Sequence, residues 1–237
     1  MVVRACGATH RGARPANEDA FLVDVGAGLF VVADGMGGHN AGEVASSLAI
    51  ESIQQSVDPA HRTAGGLQEA VEAANRHVLD TAATRPELAG MGTTVSAALL
   101  GPSGVLLANV GDSRVYRLRG ETLTQLTHDD SWIARLLADG VPLTASDIER
   151  HPMRHVLTKV VGARTELDAD VQQHTFEPGD ALLLCSDGLH GVLGPDALAD
   201  ILGRLSDVQA AAEALVAAAV ARGAQDNVTA VVLRRDA

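Results

Sequence analysis

The feature that most limits what this chain can fold into is a series of short apolar runs, each bounded by glycine, proline, aspartate or serine. Ala20–Val25, Leu29–Ala33, Thr94–Leu100, Val105–Val110, Val115–Leu118, Ala181–Cys185 and Val228–Leu233 read as strands. Val25-Gly26-Ala27-Gly28-Leu29 and Gly101-Pro102-Ser103-Gly104 read as hairpin turns, so the strands they join pair antiparallel. Helical patterns lie between them. Ala45, Ala49, Ile53 and Val57 recur every four residues, Leu67, Val71, Ala74, Val78 and Ala82 every three or four, and Val208, Ala212, Leu215 and Ala219 likewise. The order is strands, two helices, strands, a mixed segment, strands, helix, strand. That is not the βαβ alternation of a parallel sheet. It predicts an α+β fold with antiparallel sheets and helices on their outer faces.

Residues 131–162 break the pattern. Helix-like Trp132–Ala138 is followed by Gly140, Pro142, His151, Pro152 and His155, which reads as a flap-like excursion over the sheet edge. No linker or repeat divides the rest, so residues 1–237 are expected to form a single domain. Aromatics are only 2% of the chain, so the core must be built from Ala, Val, Leu and Ile. Eighteen basic against 30 acidic residues leave a net charge of −12, which argues against a nucleic-acid or anionic-membrane surface. Cys6 and Cys185 have neither CxxC spacing nor clustered histidines, so no disulfide framework or zinc site is expected. The start of the chain lacks a signal-peptide apolar run, and no run approaches the ~20 residues of a membrane span. A cytoplasmic protein is the expectation, with nothing to suggest an obligate oligomer.

The chemistry lies in aspartates at the ends of strands. Asp34 follows Leu29-Phe30-Val31-Val32-Ala33, Asp112 follows Leu106-Leu107-Ala108-Asn109-Val110-Gly111, and Asp187 follows Leu182-Leu183-Leu184-Cys185-Ser186. Asp226 precedes the last strand and Glu18-Asp19 the first. Each Asp-Gly alone is ordinarily a turn. Together, carboxylates converging on one sheet edge repel unless a cation lies between them. All-oxygen ligands without histidine favour Mg²⁺ or Mn²⁺ over zinc. Other templates fail. There is no GxxxxGK[ST] and no GxSxG, and Cys185 lacks the arginine of a cysteine-dependent phosphatase loop. Asp168-Ala169-Asp170-Val171 follows no apolar strand, so it is a poor aspartyl nucleophile pair.

A family resemblance rests on Gly12-Ala13-Arg14-Pro15-Ala16-Asn17-Glu18-Asp19, Val32-Ala33-Asp34-Gly35-Met36-Gly37-Gly38-His39 and Met91-Gly92-Thr93-Thr94. It continues through Asn109-Val110-Gly111-Asp112-Ser113-Arg114, Leu126-Thr127-His128-Asp129, Cys185-Ser186-Asp187-Gly188-Leu189 and Asp226-Asn227-Val228-Thr229. In that order, these motifs make the chain resemble the metal-dependent type 2C protein phosphatases, the PPM family, in compact bacterial form. The resemblance implies a four-layer α-β-β-α sandwich with metals at one end between the sheets. It implies that Asp34 bridges two Mn²⁺ or Mg²⁺ ions, with the Gly35 carbonyl on one and Asp187 and Asp226 on the other. Glu18 and Asp19 would act through water, and Asp112 with Asp187 would form a third, weaker site. Arg14 would hold substrate phosphate. The implied reaction is hydrolysis of phosphoserine and phosphothreonine in proteins by a water bridging two metals, opposing a bacterial Ser/Thr kinase.

Departures from the family's pattern bear on the proton source. Met36 stands where many eukaryotic relatives carry a histidine proposed as general acid, and it cannot donate a proton. His39 is a nearby substitute, although capping the following helix is the plainer role for it, and a metal-bound water, including that of the weaker third metal, is another donor. Asn227 could orient a metal-bound water or cap a turn. The segment His128-Asp129-Asp130-Ser131 differs from the Asp-His-Ser common in relatives, and His151 and His155 read as surface residues. The alternative to an enzyme is a catalytically silent module that binds phosphoproteins. The intact Arg14, Asp34, Asp187 and Asp226 argue against it.

Overall fold

In a computed structural model of the chain, which describes residues 2–38, 41–102 and 104–236, two antiparallel sheets lie face to face. The first runs, in order across the sheet, β1 (Val3–His10), β11 (Val228–Arg235), β10 (Ala181–Cys185), β7 (Arg114–Arg119) and β8 (Thr122–Gln125). The second runs β2 (Asp19–Asp24), β3 (Leu29–Met36), β5 (Val95–Gly101), β6 (Gly104–Val110) and β9 (Asp170–His174), with the short β4 (Gly92–Thr93) pairing the end of β3.

Strand alternation builds the layers. On β3, Phe30 and Val32 point into the space between the sheets, where Leu182 and Leu184 of β10 and Val231 and Leu233 of β11 meet them. Leu29, Val31 and Ala33 point the other way, onto α1 (Ala41–Ser56) and α2 (Ala64–Thr84). Leu183 and Cys185 point outward onto α6 (Pro195–Arg204) and α7 (Val208–Ala221). Both faces of these strands are covered, which is why they read as unbroken apolar runs. The expected four-layer α-β-β-α sandwich is the observed one, and every strand pairing in it is antiparallel. No helix is long and apolar enough to cross a membrane among the described residues.

Three strands and one long helix were not legible as apolar patterns. β1, β8 and β9 are sheet edges, and their sequences VRACGATH, TLTQ and DVQQH carry polar or small residues on half-exposed faces. α6 buries only Leu198 and Leu202.

The excursion over 131–162 contains the expected helix, α3 (Trp132–Ala138), and a second, α4 (Ala145–Arg150). α4 starts with a reciprocal cap in which Thr144 accepts from Asp147 N–H and Asp147 accepts from Thr144 N–H. The roots of the excursion are pinned. Ser131 pairs with Leu157, and Thr93 and Val161 exchange two backbone hydrogen bonds of 3.0 and 2.9 Å. Buried Asn75 on α2 accepts from Gly162 N–H at 2.7 Å and donates to the Arg164 carbonyl at 2.8 Å.

Candidate active site

At one end of the sandwich the strand-end carboxylates line a common cavity of about 420 Å³. Its walls include Arg14, Glu18, Asp34, Asp112, Asp187 and Asp226, together with Gly35, Met36 and Thr94. The flap supplies His155, Leu157 and Val160. Of the residues expected to hold metal or phosphate, Asp19 alone is not in the cavity lining. It is buried just behind, opposite Asp34 in the β2–β3 register. His39 lies outside the described residues.

The two Asp-Gly pairs turn out not to be ordinary turns. Neither Gly35 nor Gly188 has a positive φ. Their glycines are needed for close approach. A Cβ on Gly35 would sit 2.1 Å from the Gly42 carbonyl oxygen and 2.6 Å from that of Glu18, and one on Gly188 would sit 2.0 Å from that of Asn227. The missing side chains let the segment of Glu18 reach Asp34 and the segment of Asp226 reach Asp187. Asp187 opens the short α5 (Asp187–His190).

Hydrogen bonds between distant segments hold the carboxylates in place. Asp34 is clamped through its backbone. Its N–H donates to Thr94 Oγ1 (3.0 Å), and its carbonyl accepts from Thr93 Oγ1 (2.9 Å) and Thr94 N–H (2.9 Å). Asp19 Oδ2 accepts from Ser186 Oγ (2.8 Å) and Thr229 Oγ1 (2.6 Å), which joins the two sheets. Asn227 bridges segments far apart in the chain. Its Oδ1 accepts from Glu18 N–H (2.8 Å) and its Nδ2 donates to the Arg11 and Ala16 carbonyls (2.9 Å each), stapling the Arg14 loop to the start of β11. The His128–Ser131 segment also has a structural job. Asp129 takes a two-pronged bond from Arg114 (2.9 and 2.7 Å), and Asp130 Oδ2 accepts from Gly111 N–H beside Asp112. His190 Nε2 lies 2.9 Å from the Asp112 carbonyl, and burial pushes this imidazole's pKa down to about 4, so it is neutral and donates. All these supporting residues except His190 and Asp130 fall inside the quoted motifs, but only folding shows what each one touches.

The electrostatics of the cavity are uncompensated. Burial pushes the Asp34 carboxyl well above the ordinary range, and Asp19, Asp187, Asp112 and Asp226 push it further. Burial likewise raises Asp112 and Asp19 to about 7, the latter against the hydrogen bonds from Thr229 and Ser186. Burial and the neighbouring Asp226 raise Asp187, against a smaller opposing effect of Asp34. Oδ1 of Asp19 and Oδ1 of Asp187 are buried with no hydrogen-bond partner among the described residues. Among the described residues that line the cavity, the one arginine is Arg14, half-exposed, whose Nη2 donates to Asp226 Oδ2 at 2.7 Å. Among the described residues no three of these side chains are already drawn together as a closed metal cage. Buried oxygens without donors and carboxyls with raised proton affinity are nevertheless what a hard divalent cation would satisfy.

Comparison with known proteins gives the same picture. The family model for Protein phosphatase 2C matches residues 6–225. The serine/threonine phosphatase stp of Listeria welshimeri is 34% identical over 214 residues, covering 88% of this chain and 84% of that protein. The crystal structure of the Mycobacterium tuberculosis serine/threonine phosphatase PstP/Ppp superposes with a TM-score of 0.91 at 34% identity, covering all of both chains. A structure of the PstP catalytic domain in complex with two manganese ions gives a TM-score of 0.88 at 34% identity, over 98% of this chain and 97% of that one. In motif order, in layering and over nearly its whole length, this chain belongs to the protein phosphatase 2C family.

Proposed function

We propose that this chain is a metal-dependent protein serine/threonine phosphatase, acting as one phosphatase domain in the cytoplasm as a monomer. Its substrates are proteins phosphorylated by a cognate bacterial Ser/Thr kinase. One observation carries the reading: at the end where the two sheets meet, five carboxylates and a single arginine share one cavity.

Asp34, the Gly35 carbonyl, Asp187 and Asp226 would hold two Mn²⁺ or Mg²⁺ ions, with Glu18 and Asp19 acting through water and Asp112 with Asp187 at a third, weaker position. Bound there, such ions supply a strong nucleophile from water at neutral pH and neutralise charge on the phosphoryl group. The protein's part is to hold this arrangement and present the substrate. Arg14 binds the phosphate, and its bond to Asp226 keeps the guanidinium at the cavity in the meantime. The Asn227 staple fixes the loop that carries Arg14 and Glu18. Thr93 and Thr94 fix Asp34, and Ser186 with Thr229 fixes Asp19. The flap, rooted on Asn75 and β4, forms the remaining wall and faces the substrate.

Phosphate release from a phosphothreonine peptide, measured with Mn²⁺ and then with excess chelator, tests the assignment. Release that requires Mn²⁺ and stops on chelation is expected. No release with any divalent metal would overturn it and favour the silent phosphoprotein-binding module.

A further inference from the structure

Hydrolysis of an alkyl phosphate needs a proton for the departing oxygen, because a serine or threonine alkoxide is a poor leaving group. Met36 lines the cavity, and its thioether has no proton to give. Leaving aside the carboxyls, which the metal assignment uses as deprotonated ligands, three side chains among the described residues that line the cavity carry an N–H or O–H: Arg14, Thr94 and His155. Arg14 holds its proton too tightly to release it. The Thr94 hydroxyl is engaged by Asp34 N–H and by Ser113 Oγ at 2.7 Å. His155 has no hydrogen-bond partner among the described residues, and it is exposed, so solvent can reload it.

The backbone around His155 is not a free loop tip. The Val156 carbonyl accepts from Trp132 N–H at 2.8 Å, Val156 N–H donates to the Met153 carbonyl at 3.1 Å, and Leu157 pairs with Ser131. These contacts fix the chain on either side of the imidazole where the flap crosses the cavity. His155 shares the cavity with Glu18, Asp34, Asp112, Asp187 and Asp226 and with Arg14. Its own segment adds Arg154 and His151.

We propose that His155 is the catalytic residue that protonates the leaving serine or threonine oxygen. The inference rests on the phosphatase reading above and assigns a group within that site. As the P–O bond breaks, its electron pair stays on the side-chain oxygen. The imidazolium N–H proton passes to that oxygen, the alcohol departs, and neutral His155 regains a proton from solvent.

The test compares wild type, His155→Ala and His155→Gln on a phosphothreonine peptide and on p-nitrophenyl phosphate, whose leaving group needs no proton. On the peptide, kcat for both variants falls about 100-fold, at least ten times more than on p-nitrophenyl phosphate. The alkaline fall in the wild-type peptide pH profile is lost with the imidazole. Equal losses on both substrates would overturn the proposal, since a binding or structural role predicts them. Recovery by glutamine would overturn it as well, because glutamine donates a hydrogen bond but not a proton. So would an unchanged His155→Ala. A wild-type protein inactive on both substrates is a separate result, which removes the phosphatase reading itself.

Discussion

β10 has an aspartate just beyond each end, and the fold treats the two in opposite ways. Asp180, at the end away from the cavity, is 2% exposed and fully answered. Burial pushes its pKa up, but Arg119 (2.8 and 2.7 Å) and Glu177 N–H (2.7 Å) donate to its oxygens, and the net shift is downward. Asp187, at the other end, keeps a buried oxygen with no donor and faces further carboxylates, and its pKa is raised. Each residue has a carboxylate oxygen withdrawn from solvent, although Asp187 as a whole is the more exposed of the two. The partners differ. At one end the charge serves the fold, and at the other it is left open for something the chain does not contain.

Breaking each end should therefore have different consequences. Asp187→Asn is expected to lower turnover on a phosphothreonine peptide by about 1,000-fold or more, beyond the loss of a single stabilising donor. The same change should raise the melting temperature of the metal-free protein, because it removes one repelling charge. Asp180→Asn should do the reverse, leaving turnover near wild type and lowering the melting temperature. Steady-state kinetics and thermal melts in chelator would show both halves. If Asp180→Asn matched Asp187→Asn in turnover, the contrast would fail.

Asp112→Ala sits between these extremes. It should reduce kcat by about 100-fold, on the scale of a lost metal-supporting group, while calorimetry still finds two tight ions. Loss of a tight ion would move Asp112 into the main pair. Arg14→Ala should act mainly on binding, raising KM about tenfold with a smaller change in kcat. An unchanged KM would remove Arg14 from phosphate recognition.

The smallest expected effect is a pH slope. Asp19 and Asp112 titrate near 7 in the folded protein, above an unfolded carboxyl near ~4. Between those values the folded state binds more protons than the unfolded one, so the metal-free protein loses stability as pH rises from about 4 to about 7. Asp180, with its depressed pKa, works in the opposite sense, since its contribution is present above the unfolded pKa and lost in acid. Thermal melts in chelator at pH 5 and pH 7 should show the loss, and Mn²⁺ should abolish it. A metal-free protein more stable at pH 7 than at pH 5 would contradict the assignment.

The same contrast explains what could be read from sequence. β3, β5, β6, β10 and β11 are covered on both faces, so their apolar runs stand out. β1, β8 and β9 are edges whose exposed faces erase the pattern. The strand-end aspartates were legible because each stands at the beginning or the end of an apolar run. Their supports were not. Asn227 acts through Arg11, Ala16 and Glu18, more than 200 residues away in the chain. Nothing local distinguishes it from a turn cap. His155 read as a surface residue, which its exposure bears out, but its place at the cavity depends on flap roots formed by Ser131, Asn75 and Thr93.

If the open charge at one end of the sandwich is a site for divalent ions, it should bind them with high affinity. Titrating Mn²⁺ into chelator-stripped protein at pH 7, in two buffers of different ionisation enthalpy, tests it most directly. Two tightly bound ions are predicted, with net proton release as the raised carboxyls give up their protons, and Asp187→Asn should weaken that binding. Absence of tight Mn²⁺ binding by wild-type protein that still releases phosphate in chelator would contradict it.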